Sequence, residues 1–327
     1  MTHPIYFRRL ALLAGLALCA LSPLPALAQA DYPAKPITLI VGYPPGGSTD
    51  LTGRTVAAEL SKKLGVPVVI ENVGGAGGAI GAQKVANAAP DGYTLLVGAN
   101  NEIAISRLVS SAVRYQIRDF TPIGLIASQP MVLVASAKSG VKNLDQFLTM
   151  VKANPGKFSY GSSGVGTALH LAGEMVKDQG GLFMTHIPYR GVAPLANDLL
   201  GNNIEYGVFV LSSGLPHIKS GRVVALGTTE AKRSAVTPDI AALAESPKLK
   251  GLDINVWFAL MGPANMPEPV VAKLKKALAE SLQAPELRKK LEDSGSAIAP
   301  LNVDMPKFLK DETTKYQRIV DFAKIKE

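Results

Sequence analysis

The sequence predicts an α/β fold built from mostly parallel sheets that are flanked by helices. Short apolar segments typical of strands alternate with amphipathic helical segments along most of the chain. A predicted leader covers residues 1–28 of the 327, so about 299 residues remain, which is enough for two medium-sized domains. Apolar residues make up 47% of the chain, and a packed core is therefore expected.

The N-terminus has the pattern of a secretory signal peptide. Arg8 and Arg9 precede an apolar run at 10–21, and small residues suited to cleavage end at Ala28. The run is too short for a typical membrane span. Cys19 is the only cysteine of the chain and lies inside this leader. The mature chain therefore lacks disulfides, thiolate metal sites and cysteine nucleophiles.

The mature chain carries a mild basic excess. The formal charge of +8 falls to about +6 when Arg8 and Arg9 leave with the leader. The remaining cations are spread along the chain, which suits an anionic small molecule and gives no reason to expect a nucleic-acid partner. No apolar stripe requires a dimer, so a secreted monomer is expected.

The alternation of elements can be followed in order. Hydrophobic periodicity and turn residues set their bounds. Strands are predicted at 37–41, 66–70, 93–98, 122–126, 131–136, 158–160, 184–187, 204–210, 223–227 and 253–261. Helices are predicted at 50–64, 79–88, 102–110, 144–153, 167–177, 193–200, 214–220, 270–282, 286–294 and 305–324.

Two turns between a strand and a helix are candidate anion sites. The first is Pro-Pro-Gly-Gly-Ser-Thr-Asp at 44–50, and the second is Gly-Ser-Ser-Gly-Val-Gly-Thr at 161–167. The first amide groups of a helix lack partners within the helix, and its dipole favours negative charge there. The alternative at the first turn is that Ser48, Thr49 or Asp50 simply caps the helix.

No catalytic or cofactor motif stands out. The glycine cluster at 74–78 matches neither a dinucleotide-binding nor a Walker pattern, and predicts a tight turn with close helix packing. No histidine has metal-ligand spacing, and no serine lies in a nucleophile elbow. Ser139 and Lys142 match S-x-x-K but lack the companion motifs. We therefore expect a binding protein with no cofactor, no metal and no catalytic residue.

Eight segments in the right order resemble the Bug family, the periplasmic solute-binding proteins of tripartite tricarboxylate transporters. They are 32–37, 44–50, 72–81, 90–95, 161–173, 188–191, 217–221 and 257–263. The resemblance implies a type II periplasmic binding protein with two domains hinged by crossing strands. Domain I would comprise 29–128 and 254–327, and domain II 129–253. Such a protein closes on a small organic acid and delivers it to permease subunits.

The resemblance also implies which residues hold the ligand. They are Pro45, Gly46, Gly47, Ser48, Thr49, Asp50, Asn100, Glu102, Ser162, Ser163, Gly166, Thr167, His170 and Arg190. Asp50 is interpreted as a cap or water anchor, because a carboxylate repels a ligand carboxylate. His170 either contacts the ligand or packs beside the turn, and Arg190 pairs with the ligand or with a neighbouring acid.

Glu102 departs from the family pattern. If it faces the cleft, it favours a ligand with an amine and disfavours a second carboxylate; alternatively, it sits favourably in the first turn of a helix. Two other functions stay open at this point. One is a secreted α/β hydrolase, and the other is a periplasmic subunit that senses a ligand for a membrane kinase.

Overall fold

A computed structural model describes residues 32–234 and 237–325. The predicted leader and the cleavage site after Ala28 lie outside the described residues. Residues from Lys35 onward form one unit, to which everything below refers. None of the described helices is both long and apolar enough to cross a lipid bilayer.

The described chain alternates strands and helices as the sequence predicts. The strands are β1 Ile37–Val41, β2 Val68–Asn72, β3 Thr94–Ala99, β4 Phe120–Ser136, β5 Ser159–Ser162, β6 Thr185–Pro188, β7 Tyr206–Val210, β8 Val223–Thr228, β9 Asn255–Pro263 and β10 Ala297–Ile298. The helices are α1 Ser48–Leu64, α2 Ala79–Ala86, α3 Ser106–Val109, α4 Leu144–Ala153, α5 Ala168–Gly180, α6 Val192–Gly201, α7 Leu211–Lys219, α8 Glu268–Ser281, α9 Pro285–Asp293 and α10 Met305–Ala323. A π-helical turn, Asn101–Ile105, precedes α3.

The strands follow the order β2-β1-β3-β9-β4-β7-β5-β6, with β10 and β8 also paired to β4. β1 is parallel to β2 and β3, and β5 is parallel to β6 and β7. β9 runs antiparallel to β3 and β4, while β7, β8 and β10 run antiparallel to β4. The sheets are therefore mixed, because β9 and β4, which lie side by side in the middle of the strand order, run antiparallel to their neighbours. The α/β fold is confirmed, and the expectation of mostly parallel pairing is corrected.

β4 is one strand of 17 residues, so the prediction of separate strands at 122–126 and 131–136 is wrong. Its first part, as far as Pro130, pairs with β9, and from Met131 onward it pairs with β7 and β8. Proline lacks an amide hydrogen and usually interrupts a ladder. Pro130 is tolerated because it lies where the strand changes partners. β4 thereby links the sheet around β1 to the sheet around β5.

The glycine cluster at 74–78 forms the expected tight turn. Gly75, Gly77 and Gly78 have φ angles of 131°, 60° and 95°, which residues other than glycine rarely adopt. A Cβ on Gly78 would lie 2.9 Å from the side-chain carboxyl carbon of Glu102. This turn therefore packs directly over the segment that follows β3.

Candidate functional site

The N-terminus of α1 lies directly after the first predicted turn. Its N-cap is Gly47, and no side chain of the described residues caps it. The alternative that Ser48, Thr49 or Asp50 serves as the N-cap is therefore wrong. Among the described residues, the amides of these three residues donate to no protein acceptor. Three helix-end donors are thus left for a ligand or for water.

Asp50 holds this turn in place from inside. It is 3% exposed, and its carboxylate accepts hydrogen bonds from the amide of Gly46, Nε of Arg54 and Nδ2 of Asn72, each at 2.9 Å. Burial raises the pKa of Asp50, but the hydrogen bonds from Arg54, Gly46 and Asn72 lower it by more. The ionised carboxylate thus accepts from three protein donors and holds the turn together.

The second turn is capped from within. Thr167 is the N-cap of α5, and its hydroxyl accepts from the amide of His170. Ser162 is fully buried; its hydroxyl accepts from the amide of Gly164 and lies 2.7 Å from Nε2 of His186. Ser163 is partly exposed and its hydroxyl lies 3.3 Å from that of Thr167. Of the two serines, only Ser163 presents surface to solvent.

Two stacked histidines support this turn. The rings of His170 and His186 lie 3.8 Å apart at an angle of 9°. Burial lowers the pKa of His170 to about 4 and that of His186 to about 3, so both are neutral at pH 7. Nδ1 of His170 accepts from the amide of Gly166 at 3.0 Å. His170 therefore packs beside the turn, and its acceptor nitrogen is occupied.

Glu102 is buried in the first turn of the π-helical segment. One carboxyl oxygen accepts from the amide of Ala99 at 2.7 Å, and the other lies 2.8 Å from the hydroxyl of Tyr43. Burial raises the pKa of Glu102 to about 7. Both oxygens have protein partners, so this geometry favours the helix-turn interpretation of Glu102 over direct contact with a ligand amine.

Asn101 bridges the segment after β3 and the N-terminus of α5. Its Oδ1 accepts from the amide of Ala168 at 2.7 Å, and its Nδ2 lies 3.0 Å from the hydroxyl of Tyr43. Tyr43 leads into the first turn, so Asn101 brings the two predicted turns into one hydrogen-bonded network. This residue is absent from the predicted set. A signal was available, because polar residues just beyond the carboxyl end of a strand commonly face the ligand crevice.

The remaining predicted residues divide by exposure. Asn100 is fully buried, and its amide group donates to the carbonyl of Asn255 and the hydroxyl of Tyr316. Pro45 and Gly46 are exposed at the first turn. Arg190 is exposed and has no ion pair among the described residues; the amide of Gly191 beside it donates to the carbonyl of Ser163. Arg190 therefore stands next to the second turn with its charge available.

The sequence matches a family model described as the tripartite tricarboxylate transporter family receptor over residues 52–325. It is 36% identical over 311 residues to a UPF0065 protein of Bordetella pertussis, covering 94% of this chain and 96% of that one.

Two solved structures are also similar. The periplasmic binding protein BugD is 32% identical, with a TM-score of 0.83, covering 90% of this chain and 99% of BugD. Rpa4515 of R. palustris, solved with adipate, is 29% identical, with a TM-score of 0.85 and the same coverage. The predicted family and the interpretation as a binding protein are thus confirmed. The chain belongs to the tripartite tricarboxylate transporter receptor family, whose members are periplasmic solute-binding proteins and not enzymes.

Proposed function

We propose that this protein captures a small organic carboxylate in a cleft between two domains and delivers it to the permease subunits of a tripartite tricarboxylate transporter. Domain I comprises 29–128 and 254–327, and domain II comprises 129–253. β4 and β9 connect them and act as the hinge on which the domains close. The mature protein is a periplasmic monomer that begins after cleavage near Ala28.

The main observation in support of this proposal is the N-terminus of α1. The amides of Ser48, Thr49 and Asp50 have no protein acceptor among the described residues, and the helix dipole favours an anion beside them. The loop is held by the hydrogen bonds of Asp50, so the donors are preorganised. Adipate in the related R. palustris structure supports a carboxylate as the ligand.

The second turn supplies the opposite side of the proposed site. Polar contacts there come from the partly exposed hydroxyl of Ser163 and from the guanidinium of Arg190, which forms no ion pair within the described part of the chain. Arg190 is well suited to a carboxylate, because its planar group offers two parallel hydrogen bonds. The buried residues Ser162, Thr167 and His170 act as supports for this side and do not touch the ligand.

A thermal-shift screen of the ligand-stripped mature protein tests this proposal. The panel comprises mono-, di- and tricarboxylates, amino acids and aromatic acids. A ligand at about 100 times its Kd adds roughly 2.7 kcal/mol to the free energy of unfolding, which is a readily measured shift. Stabilisation by one class of acid is expected, and failure of every acid to stabilise the protein would refute carboxylate capture.

Gly47→Leu is the variant that should block the proposed site in this screen. Gly47 has φ −81°, and a Cβ there would have no atom within 4 Å, so the variant should fold normally. Its side chain would cover the open amides and abolish the stabilisation by the acid. Thr314→Leu, at an exposed position on α10, adds a similar side chain elsewhere and should leave binding unchanged.

Two further measurements address compartment and partner. N-terminal sequencing of the periplasmic fraction should give a chain that starts at or near Gln29. The ligand-bound protein should retain detergent-solubilised permease subunits more strongly than the ligand-stripped protein. Equal retention of both forms would contradict delivery by the closed state.

A further inference from the structure

The hydroxyl of Tyr43 lies among three polar groups. It is 2.8 Å from the carbonyl oxygen of Gly77 and 2.8 Å from a carboxyl oxygen of Glu102, and Nδ2 of Asn101 donates to it at 3.0 Å. A hydroxyl has one proton and cannot donate to both oxygens. A protonated Glu102 that donates to Tyr43, while Tyr43 donates to Gly77, satisfies all three contacts. The geometry therefore favours the neutral form of Glu102.

Tyr43 and Asn101 connect Glu102 to both sides of the proposed carboxylate site. Tyr43 leads into the first turn, and its side chain reaches back to Glu102. Asn101 is next to Glu102 in the chain, and its Oδ1 accepts from the amide of Ala168 at the N-terminus of α5. Glu102 is 1% exposed. A carboxylate held between the two turns therefore lies near Glu102 without touching it.

Within the part of the chain that the structure describes, no charged side chain is among the causes that shift the pKa of Glu102. Burial raises this pKa to about 7, and hydrogen bonds from the amide of Ala99 and from Tyr43 lower it by less. The hydroxyls of Tyr43 and Tyr115 face the same residue, and burial raises the pKa of both above the usual value, so both stay neutral up to pH 9. The elements packed against this segment also carry Arg107 on α3, Lys84 on α2, which pairs with Glu71, and Glu312 and Tyr316 on α10, which bond to each other.

An anion bound between the turns makes the ionisation of Glu102 less favourable. Two like charges roughly 10–12 Å apart, at an effective dielectric constant of about 20, shift a titration by about tenfold. The ligand carboxylate therefore raises the pKa of Glu102 further. By the same factor, the protein with a protonated Glu102 binds the carboxylate more tightly than the protein with an ionised one.

We propose that Glu102 is a proton-binding site coupled to carboxylate capture, so that the protein takes up a proton when it binds its ligand near neutral pH. This inference rests on the proposed function. The neutral carboxyl also leaves the proton of Tyr43 free to hold the glycine turn through the carbonyl of Gly77. Capture is therefore strongest in mildly acidic surroundings and weakens as the pH rises.

The pH dependence of ligand affinity tests this coupling. Butyrate, adipate and benzoate are the probes, because carboxylic acids of this kind are ionised at pH 6.5 and above. Calorimetric titration gives the Kd of each probe at pH 6.5 and at pH 9 for the wild type, Glu102→Gln and Glu59→Gln. Glu59 is the matched control, since it is a glutamate that is 7% exposed and pairs with Lys62 near the C-terminal end of α1.

The wild-type Kd should rise by about five- to tenfold from pH 6.5 to pH 9. Glu59→Gln should show the same rise. Glu102→Gln should bind with a Kd that changes little, because its amide cannot ionise but can still donate to Tyr43. A purely structural role for Glu102 would change the affinity of this variant by one factor at both pH values and would leave the rise in place.

Proton uptake can also be counted in the wild type without any variant. Hepes and Tris release protons with different heats, so the difference between the binding heats measured in the two buffers gives the number of protons bound. At pH 7.5, uptake of about half a proton for each bound acid is expected.

A wild-type Kd that does not change with pH, a rise that Glu102→Gln retains, or a proton count of zero would refute the proton site while carboxylate capture stands. If Glu102→Gln fails to fold, the pH dependence and the proton count of the wild type decide. If the wild type binds none of the three probes and no acid of the wider panel, the proposed function itself is refuted, and the proton site with it.

Discussion

Replacing Glu102 by glutamine should make the protein more stable at alkaline pH relative to the wild type. The hydroxyl of Tyr43 lies 2.8 Å from both the carbonyl of Gly77 and a carboxyl oxygen of Glu102, and it also accepts from Asn101. A hydroxyl carries one proton and cannot donate to both oxygens. If Glu102 is protonated and donates to Tyr43, every one of these contacts is satisfied.

The magnitude follows from the pKa of Glu102. Burial raises this pKa from 4.5 to about 7. The folded protein then binds the proton more tightly than the unfolded chain, so stability is fully present below pH 4.5 and is lost as the pH rises through 7. At about 1.36 kcal/mol for each unit of pKa, the loss amounts to roughly 3 kcal/mol by pH 8.

Equilibrium unfolding in denaturant measures this effect in the wild type and in Glu102→Gln from pH 5 to pH 9. Glutamine keeps the shape and the acceptor for Ala99, and its amide can donate to Tyr43. The difference in unfolding free energy between the two proteins should move by roughly 3 kcal/mol in favour of the variant as the pH rises. Other titrating groups occur in both proteins and cancel. A difference that stays constant with pH would refute the buried, protonated carboxyl.

Three further changes test other parts of the site. Gly166→Ala places a Cβ 2.6 Å from Val109 at a backbone φ of +66° and should lower the free energy of unfolding by about 1–3 kcal/mol. Adding Val109→Ala to this variant should restore part of the lost stability, and no recovery would argue against this contact. The pKa of His170 falls to about 4 in the folded protein, so the stability that its neutral ring contributes, at most about 3 kcal/mol, is lost as the pH drops from 6.5 towards 4. The wild type should therefore lose more stability in acid than His170→Gln, and parallel acid unfolding curves of the two proteins would disprove this. Asp50→Asn should cost about 1–3 kcal/mol in denaturant unfolding, since the charged bond to Arg54 is lost; an unchanged midpoint would speak against the anchor.

Much of the fold follows from local patterns. The apolar run of β1 and the amphipathic α4 have the bounds that the sequence predicts. The two glycine and hydroxyl turns precede helices, as expected from their position after strands. The full length of β4 is harder to predict, because a proline such as Pro130 usually ends a strand, and the sequence does not show that the strand changes partners there.

The site is less predictable from the sequence than the individual helices and strands are. Which side chains meet depends on contacts between distant segments, such as Asn101 with Ala168, 67 residues apart. Local sequence indicates that Thr167 is a good N-cap, but not that α1 lacks a capping side chain among the described residues. The burial of Glu102 under the glycine turn is likewise a tertiary feature, and it decides whether the carboxyl meets a ligand.

The most direct measurement of carboxylate capture is the change in amide resonances of the ¹⁵N-labelled protein when the acid that stabilises it most is added. Amide protons that gain a charged acceptor move strongly. We predict that the largest shifts occur at Ser48, Thr49 and Asp50, and that Gly47→Leu abolishes them. Shifts confined to other parts of the chain, with these three amides unmoved at saturation, would contradict the assignment of the α1 N-terminus as the carboxylate site.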